Sequence, residues 1–129
     1  MTLDIDVAGS GPTDRRVTLR GRLDSLTVPK LETELAPLLE AQATTSLAFY
    51  LDRLEYISSA GIRCIMRASK TLEARGGRVA VVNAQPAVLK VFEIVKALPT
   101  DQIFASQAEL DAYLDAMQRR AREPRYPAR

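Results

Sequence analysis

The chain has 129 residues, 47% apolar and 26% charged, with a net charge of +2, which suits one domain with a core of its own. Histidine and tryptophan are absent and Cys64 is the one cysteine, which excludes an intramolecular disulfide, a Cys/His metal set and chemistry that needs an imidazole base. Five Arg (119, 120, 122, 125 and 129) against Glu123 put +4 on residues 119–129 and leave −2 on residues 1–118, so the body has no basic stripe suited to nucleic acid.

Leu3, Ile5 and Val7 alternate with polar residues, as in a half-buried strand. Gly9-Ser10-Gly11-Pro12 is a turn, and Arg16 to Arg20 alternates again, so residues 1–20 read as a hairpin. Gly21-Arg22-Leu23-Asp24 then ends the hairpin and bends the chain. The acidic start, MTLDIDVAG, lacks the apolar run of a signal peptide. No stretch approaches the roughly 20 apolar residues of a membrane span. The expectation is a cytoplasmic protein with no membrane insertion.

A first helix is predicted from near Thr27, with Pro29 tolerated in its first turn and Leu31, Leu35, Leu38 and Leu39 as its apolar face. Pro37 should kink or shorten it. Ser46 to Leu51 is a near-continuous apolar run, fit for a central strand covered on both faces. A second helix runs to about Arg75, stopped by Gly76-Gly77. Arg78 to Asn83 reads as a second buried strand, parallel to the first because a helix crosses over between them.

Pro86 opens a third helix with Val88, Leu89, Phe92 and Val95 on one face, and Pro99 ends it. Ile103-Phe104 suggests a short last strand. Ser106 and Glu109 form a capping box ahead of Leu110, Tyr113, Leu114 and Met117. The predicted fold is α/β: a mixed sheet of four to five strands with about four helices, mainly on one side. The expected division is one domain over residues 1–118 and an Arg-rich tail over 119–129.

The stretch Phe49 to Ile62, FYLDRLEYISSAGI, is a strand handing over to a helix through Ser58-Ser59-Ala60-Gly61. Ser59 stands where an N-cap is expected, with Ile62, Ile65, Met66, Ser69 and Leu72 following at helical spacing. Such a serine is an ordinary structural cap, but the same helix N-terminus would welcome a phosphate. The small neighbours would let another protein's backbone approach. Cys64 reads as a packing residue within this helix.

Three features make the chain resemble the STAS domain family, the anti-sigma factor antagonists and their relatives, from about Leu3 to Met117. They are Gly21-Arg22-Leu23-Asp24; Leu51-Asp52 with Leu54 and Tyr56 to Ile62; and Gly76-Gly77 with the Val79–Val82 strand and the helix opening at Pro86. The resemblance implies that a partner Ser/Thr kinase, itself an anti-sigma factor, phosphorylates Ser59. It implies that the unmodified domain binds this kinase, freeing a sigma factor for transcription, and that the phosphorylated form lets go. A cognate phosphatase would reset the switch. Asp24 matches a family position close to that serine, and no cofactor or metal is implied. Many members carry Asp where this chain has Ser58, a departure that bears on phosphorylation geometry and kinase choice. Ser58 is also a second candidate acceptor. The expected partner-binding residues are Asp24, Ser58, Ser59, Ala60, Gly61 and Arg63.

Two other readings stand beside this one. A STAS domain can be a constitutive scaffold in a transporter or signalling complex, with Ser59 only a cap. An enzyme with Ser59 as nucleophile would lack both G-x-S-x-G and a histidine, leaving Lys70, Lys90 or Lys96 as base. The expectation is therefore a protein without catalytic activity.

Overall fold

The computed structural model describes residues 2–9, 11–97 and 107–122. Its elements are β1 (Leu3–Gly9), β2 (Asp14–Leu23), α1 (Val28–Glu40), β3 (Ser46–Ile57), α2 (Ser59–Glu73), β4 (Arg78–Val82), α3 (Pro86–Ala97) and α4 (Gln107–Arg122). The strands form one mixed sheet in the order β1-β2-β3-β4. β1 and β2 pair antiparallel, as the alternation at Leu3 and Val17 predicts. β2 with β3, and β3 with β4, are parallel, with α1 and α2 as the crossovers.

β2 does not end at Arg20 but runs on to Leu23. Register shifts after Thr18 and Gly21 keep it paired with the 12-residue β3 down to Leu23 and Ile57. Gly21 takes φ +105°, and a Cβ there would lie 2.3 Å from the Thr2 carbonyl oxygen. A side chain would therefore collide with the incoming β1 at the point where β2 bends.

β3 is the long central strand. Leu47, Phe49 and Leu51 are fully buried, while Ser46, Ala48 and Tyr50 between them are only half-buried. The expected cover on both faces is thus incomplete. β4 departs further from expectation: Arg78, Ala80 and Val81 are exposed. Among the described residues β4 pairs with β3 alone.

α1 buries Val28, Leu31, Leu35 and Leu38 and continues through Pro37 to Glu40. The expected shortening does not occur. The ring removes one N–H, the donor that would meet the Thr33 oxygen, close to the helix end, and Leu38 beyond it is still buried. The open carbonyls of the helix end are met from outside. Arg75 gives hydrogen bonds to the Ala41 and Leu39 oxygens at 2.6 and 2.5 Å. α2 stops as predicted: Gly76 has φ +80°, and the Gly77 N–H reaches back to the Leu72 oxygen at 2.8 Å.

The core joins Val17, Leu19 and Phe49 of the sheet to Leu31 and Leu35 of α1, Ile62, Ile65 and Leu72 of α2, Val88 and Val91 of α3, and Leu114 of α4. The proposed strand at Ile103-Phe104 and the cap at Ser106 lie outside the described residues. α4 continues past residue 118 to Arg122. No described helix is long and apolar enough to cross a membrane. Among the described residues no group of three His, Cys, Asp or Glu could hold a metal ion.

Candidate functional site

β3 delivers the chain to the turn with Ile57 buried, and Ser58 is still extended at φ −94°, ψ 176°. The cap is therefore Ser58, one residue earlier than expected. Its Oγ accepts the Gly61 N–H at 3.3 Å, and its own N–H donates to the Leu23 oxygen at 2.9 Å. An N-cap needs non-helical backbone, and Ser59 is already the first helical residue. This shift releases the Ser59 hydroxyl from capping.

That hydroxyl is engaged from a distant element. Ser59 Oγ donates to Asp111 Oδ1 of α4 at 2.5 Å, and the Ser59 N–H donates to the same oxygen at 3.2 Å. An unsatisfied first-turn amide and the positive end of a helix favour an anion, and here the chain supplies a carboxylate of its own. Ser59 is left 3% exposed and Ser58 4%.

Seven residues along α4, Gln118 docks on the residue that precedes the cap. It is fully buried. Its Oε1 accepts the Ile57 N–H at 2.9 Å, and its Nε2 donates to the Ile57 oxygen at 2.7 Å. Leu114, between Asp111 and Gln118 on the helix, is also fully buried. α4 thus lies along the turn from Ile57 to Ser59.

Beside it, the Arg22 guanidinium stacks 3.9 Å from the Tyr56 ring centroid and lies 3.7 Å from the Asp24 carboxylate. Burial pushes the Tyr56 hydroxyl above its ordinary pKa; Asp115 adds to this, Arg22 opposes it, and Asp111 and Asp24 contribute further upward. Three carboxylates thus act on the Tyr56 hydroxyl in the same direction.

Asp24 organises the loop before α1. Its Oδ1 accepts the Leu26 and Thr27 N–H groups at 3.0 and 3.1 Å. Thr27 Oγ1 accepts the Asp24 N–H at 2.9 Å and donates to the Arg22 oxygen at 2.8 Å. Asp24 meets the turn through its neighbour Leu23, whose oxygen holds Ser58. Leu26, in the same loop, is 88% exposed, the most exposed large apolar side chain among the described residues.

Of the expected site residues, Ser58, Ser59, Ala60 and Gly61 form one continuous turn, with Ala60 half-buried and Gly61 buried. The close approach that the small residues permit is made by the chain itself. A Cβ on Gly61 would lie 2.8 Å from Leu23 Cγ and 2.9 Å from Ile57 Cγ1. Arg63 is exposed one turn along α2, and Lys70 and Lys90 are exposed on their helices. Sequence reasoning missed Asp111 and Gln118. They lie 52 residues from Ser59 and 61 from Ile57, and each looks like an ordinary polar helix residue. Their one local signal is the spacing Asp111, Leu114, Gln118 on a single helix stripe.

The model of the STAS domain matches residues 5–110. The chain belongs to the STAS domain family. "Putative anti-sigma factor antagonist BtrV" of Bordetella bronchiseptica is 36% identical over 76 residues, covering 59% of this chain and 65% of that protein. "Anti-sigma F factor antagonist" of Lysinibacillus sphaericus is 26% identical over 77 residues, covering 60% of this chain and 66% of that one. The chain spans about two thirds of the length of these curated relatives.

Among solved structures, an anti-sigma factor antagonist from Mycobacterium paratuberculosis superposes with a TM-score of 0.65 at 22% identity, over 91% of this chain and 95% of that one. Unphosphorylated SpoIIAA gives 0.61 at 23% identity, over 70% and 82%. The phosphorylated form of the Bacillus cell fate determinant SpoIIAA gives the same score and identity, over 70% and 81%. These likenesses establish the shared STAS fold. The family match ends at residue 110, so Asp111 and Gln118 lie just beyond it.

Proposed function

We propose that this STAS domain is an anti-sigma factor antagonist, a non-catalytic binding module switched by phosphorylation of Ser59. In the cytoplasm, the unmodified domain binds an anti-sigma factor that is also a Ser/Thr kinase, and so frees a sigma factor for transcription. The kinase transfers a phosphoryl group to Ser59, the complex parts, and a phosphatase resets the domain. The observation that carries this reading is the seat of Ser59: it opens α2, with its hydroxyl and its N–H both turned to one anionic oxygen. The names of the two curated relatives support the antagonist role.

The partner surface in this proposal is the turn Ser58 to Gly61, with Asp24 on the preceding loop and Arg63 one turn along α2. Phosphate adds about −1.5 to −2 charges at one point. Set against an interface, such a charge costs enough to release a partner, because each 1.4 kcal/mol is about tenfold in affinity. Ser58 is the second candidate acceptor, although its Oγ already serves the Gly61 N–H.

A second reading, a constitutive scaffold in a transporter or signalling complex, draws on the 3% exposure of Ser59. One experiment separates the two. Wild type, Ser59→Ala and Ser59→Asp are used as baits in lysate of the native host, and the tryptic peptide of residues 54–63 is examined for phosphate. The switch reading expects a Ser/Thr kinase with wild type and Ser59→Ala but not with Ser59→Asp, and phosphate on Ser59 after incubation with ATP. The same partner on all three baits, with no phosphate on the peptide, establishes the scaffold instead.

A further inference from the structure

We infer that α4 is a built-in shutter over Ser59, latched by Asp111, which competes with the partner for the turn and is displaced when Ser59 is phosphorylated. This rests on Ser59 being the acceptor proposed above. It adds that access to the acceptor is controlled from within the chain.

Ser59 and Asp111 share one oxygen through two hydrogen bonds, and the serine is 3% exposed. A kinase active site cannot reach that hydroxyl while α4 lies against it. The Asp111 carboxylate also fills the place at the start of α2 that a phosphate would take, so the closed form already has its anion. Partner and α4 then have to compete for the same turn.

Phosphorylation removes the latch. The Ser59 oxygen bonds to the γ-phosphorus of ATP, ADP leaves with the electrons of the broken P–O bond, and the hydroxyl proton is lost to solvent. The hydroxyl hydrogen that Asp111 accepted is gone, only the Ser59 N–H of the two donors remains, and a group of about −1.5 to −2 charges faces a carboxylate at contact distance. Asp115, one turn further along α4, adds to the repulsion, although it is paired with Arg119. The helix dipole at Ser59 favours the phosphate, so α4 and not α2 is the element that yields. Gln118 and Leu114 tether the C-terminal half of α4 at Ile57, and the half that carries Asp111 is expected to lift first.

The test is hydrogen exchange on the full-length chain with no partner present. Four proteins are compared: wild type, Asp111→Asn, a chain with phosphoserine inserted at position 59 during translation, and the phosphoserine chain carrying Asp111→Asn. Phosphoserine at 59 should speed exchange across residues 107–113 by about tenfold or more, while β2 and β3 stay protected. Asp111→Asn should restore part of that protection in the phosphoserine chain, because an amide donates to phosphate where a carboxylate repels it. Equal protection of α4 in wild type and in the phosphoserine chain overturns the shutter. So does a phosphoserine effect that Asp111→Asn leaves unchanged.

The two proposals fail separately. Loss of kinase capture by Ser59→Asp with α4 still protected in the phosphoserine chain keeps the switch and removes the shutter. Release of α4 with capture indifferent to Ser59 keeps the shutter and removes the switch.

Discussion

Gln118 of α4 pairs with both main-chain groups of Ile57, accepting its N–H at 2.9 Å and donating to its oxygen at 2.7 Å. Ile57 is the last residue of β3 and directly precedes the cap of α2. One side chain therefore fixes the C-terminal helix to the hinge between strand and helix, in a site closed to water. Truncation leaves buried polar groups without this partner, and such groups are costly when unpaired. Gln118→Ala should lower stability by about 2–3 kcal/mol in urea unfolding. Gln118→Met keeps the volume and should lose nearly as much, which separates the hydrogen bonds from packing.

Gly61 is in the first turn of α2, where alanine would ordinarily raise helix stability by about 1 kcal/mol. Here the added methyl meets Leu23 Cγ at 2.8 Å, Ile57 Cγ1 at 2.9 Å and the Leu23 oxygen at 3.0 Å. Gly61→Ala should therefore destabilise by about 1–3 kcal/mol, the usual cost of overpacking. A thermal melt checks the sign: a higher Tm would mean that Leu23 moves aside freely.

Asp24 holds the loop before α1 through the Leu26 and Thr27 N–H groups. Asp24→Ala should cost about 1 kcal/mol, as loss of a cap does. Asp24→Asn retains an accepting oxygen and should cost less, while removing the charge beside Arg22. Weaker kinase capture by Asp24→Asn at unchanged stability would place the carboxylate itself in the partner interface.

Burial pushes the Cys64 thiol from its ordinary 9.0 up to about 11, with Glu32 adding to the shift and Arg67 opposing it. The folded chain thus keeps this proton at a pH where the unfolded chain has lost it. The resulting stability is fully present below pH 9 and is lost as pH rises towards 11. Cys64→Ala has no such proton to lose. The stability gap between wild type and Cys64→Ala, from urea titrations across this range, should shrink with rising pH; a constant gap would show that the thiol titrates normally.

The fold was legible wherever short-range pattern decides structure. The alternation at Leu3, Ile5 and Val7, the apolar stripe Leu31-Leu35-Leu38 and the Gly76-Gly77 stop each depend on neighbours within a few residues, and each appears as read. The shortening expected at Pro37 did not occur, because a proline this near the helix end removes one bond of the ladder while the burial of Leu38 still holds the last turn. The exposure of β4 was hidden for a related reason: the apolar run Val79 to Val82 does not show how far neighbouring elements cover it.

The same division runs through the site. By itself the sequence determined that a small-residue turn joins a buried strand to a helix, that two serines stand there, and that the chain resembles the STAS family. Those are properties of contiguous residues with their own backbone preferences. Which serine caps the helix was settled only by the folded strand, because β3 stays extended through Ser58 and leaves Ser59 inside the first turn. That Ser59 is covered was settled by a helix some fifty residues away, which carries Asp111 to its hydroxyl and Gln118 to Ile57. Contacts of that range depend on how α4 packs against the turn, and only the tertiary structure holds that geometry.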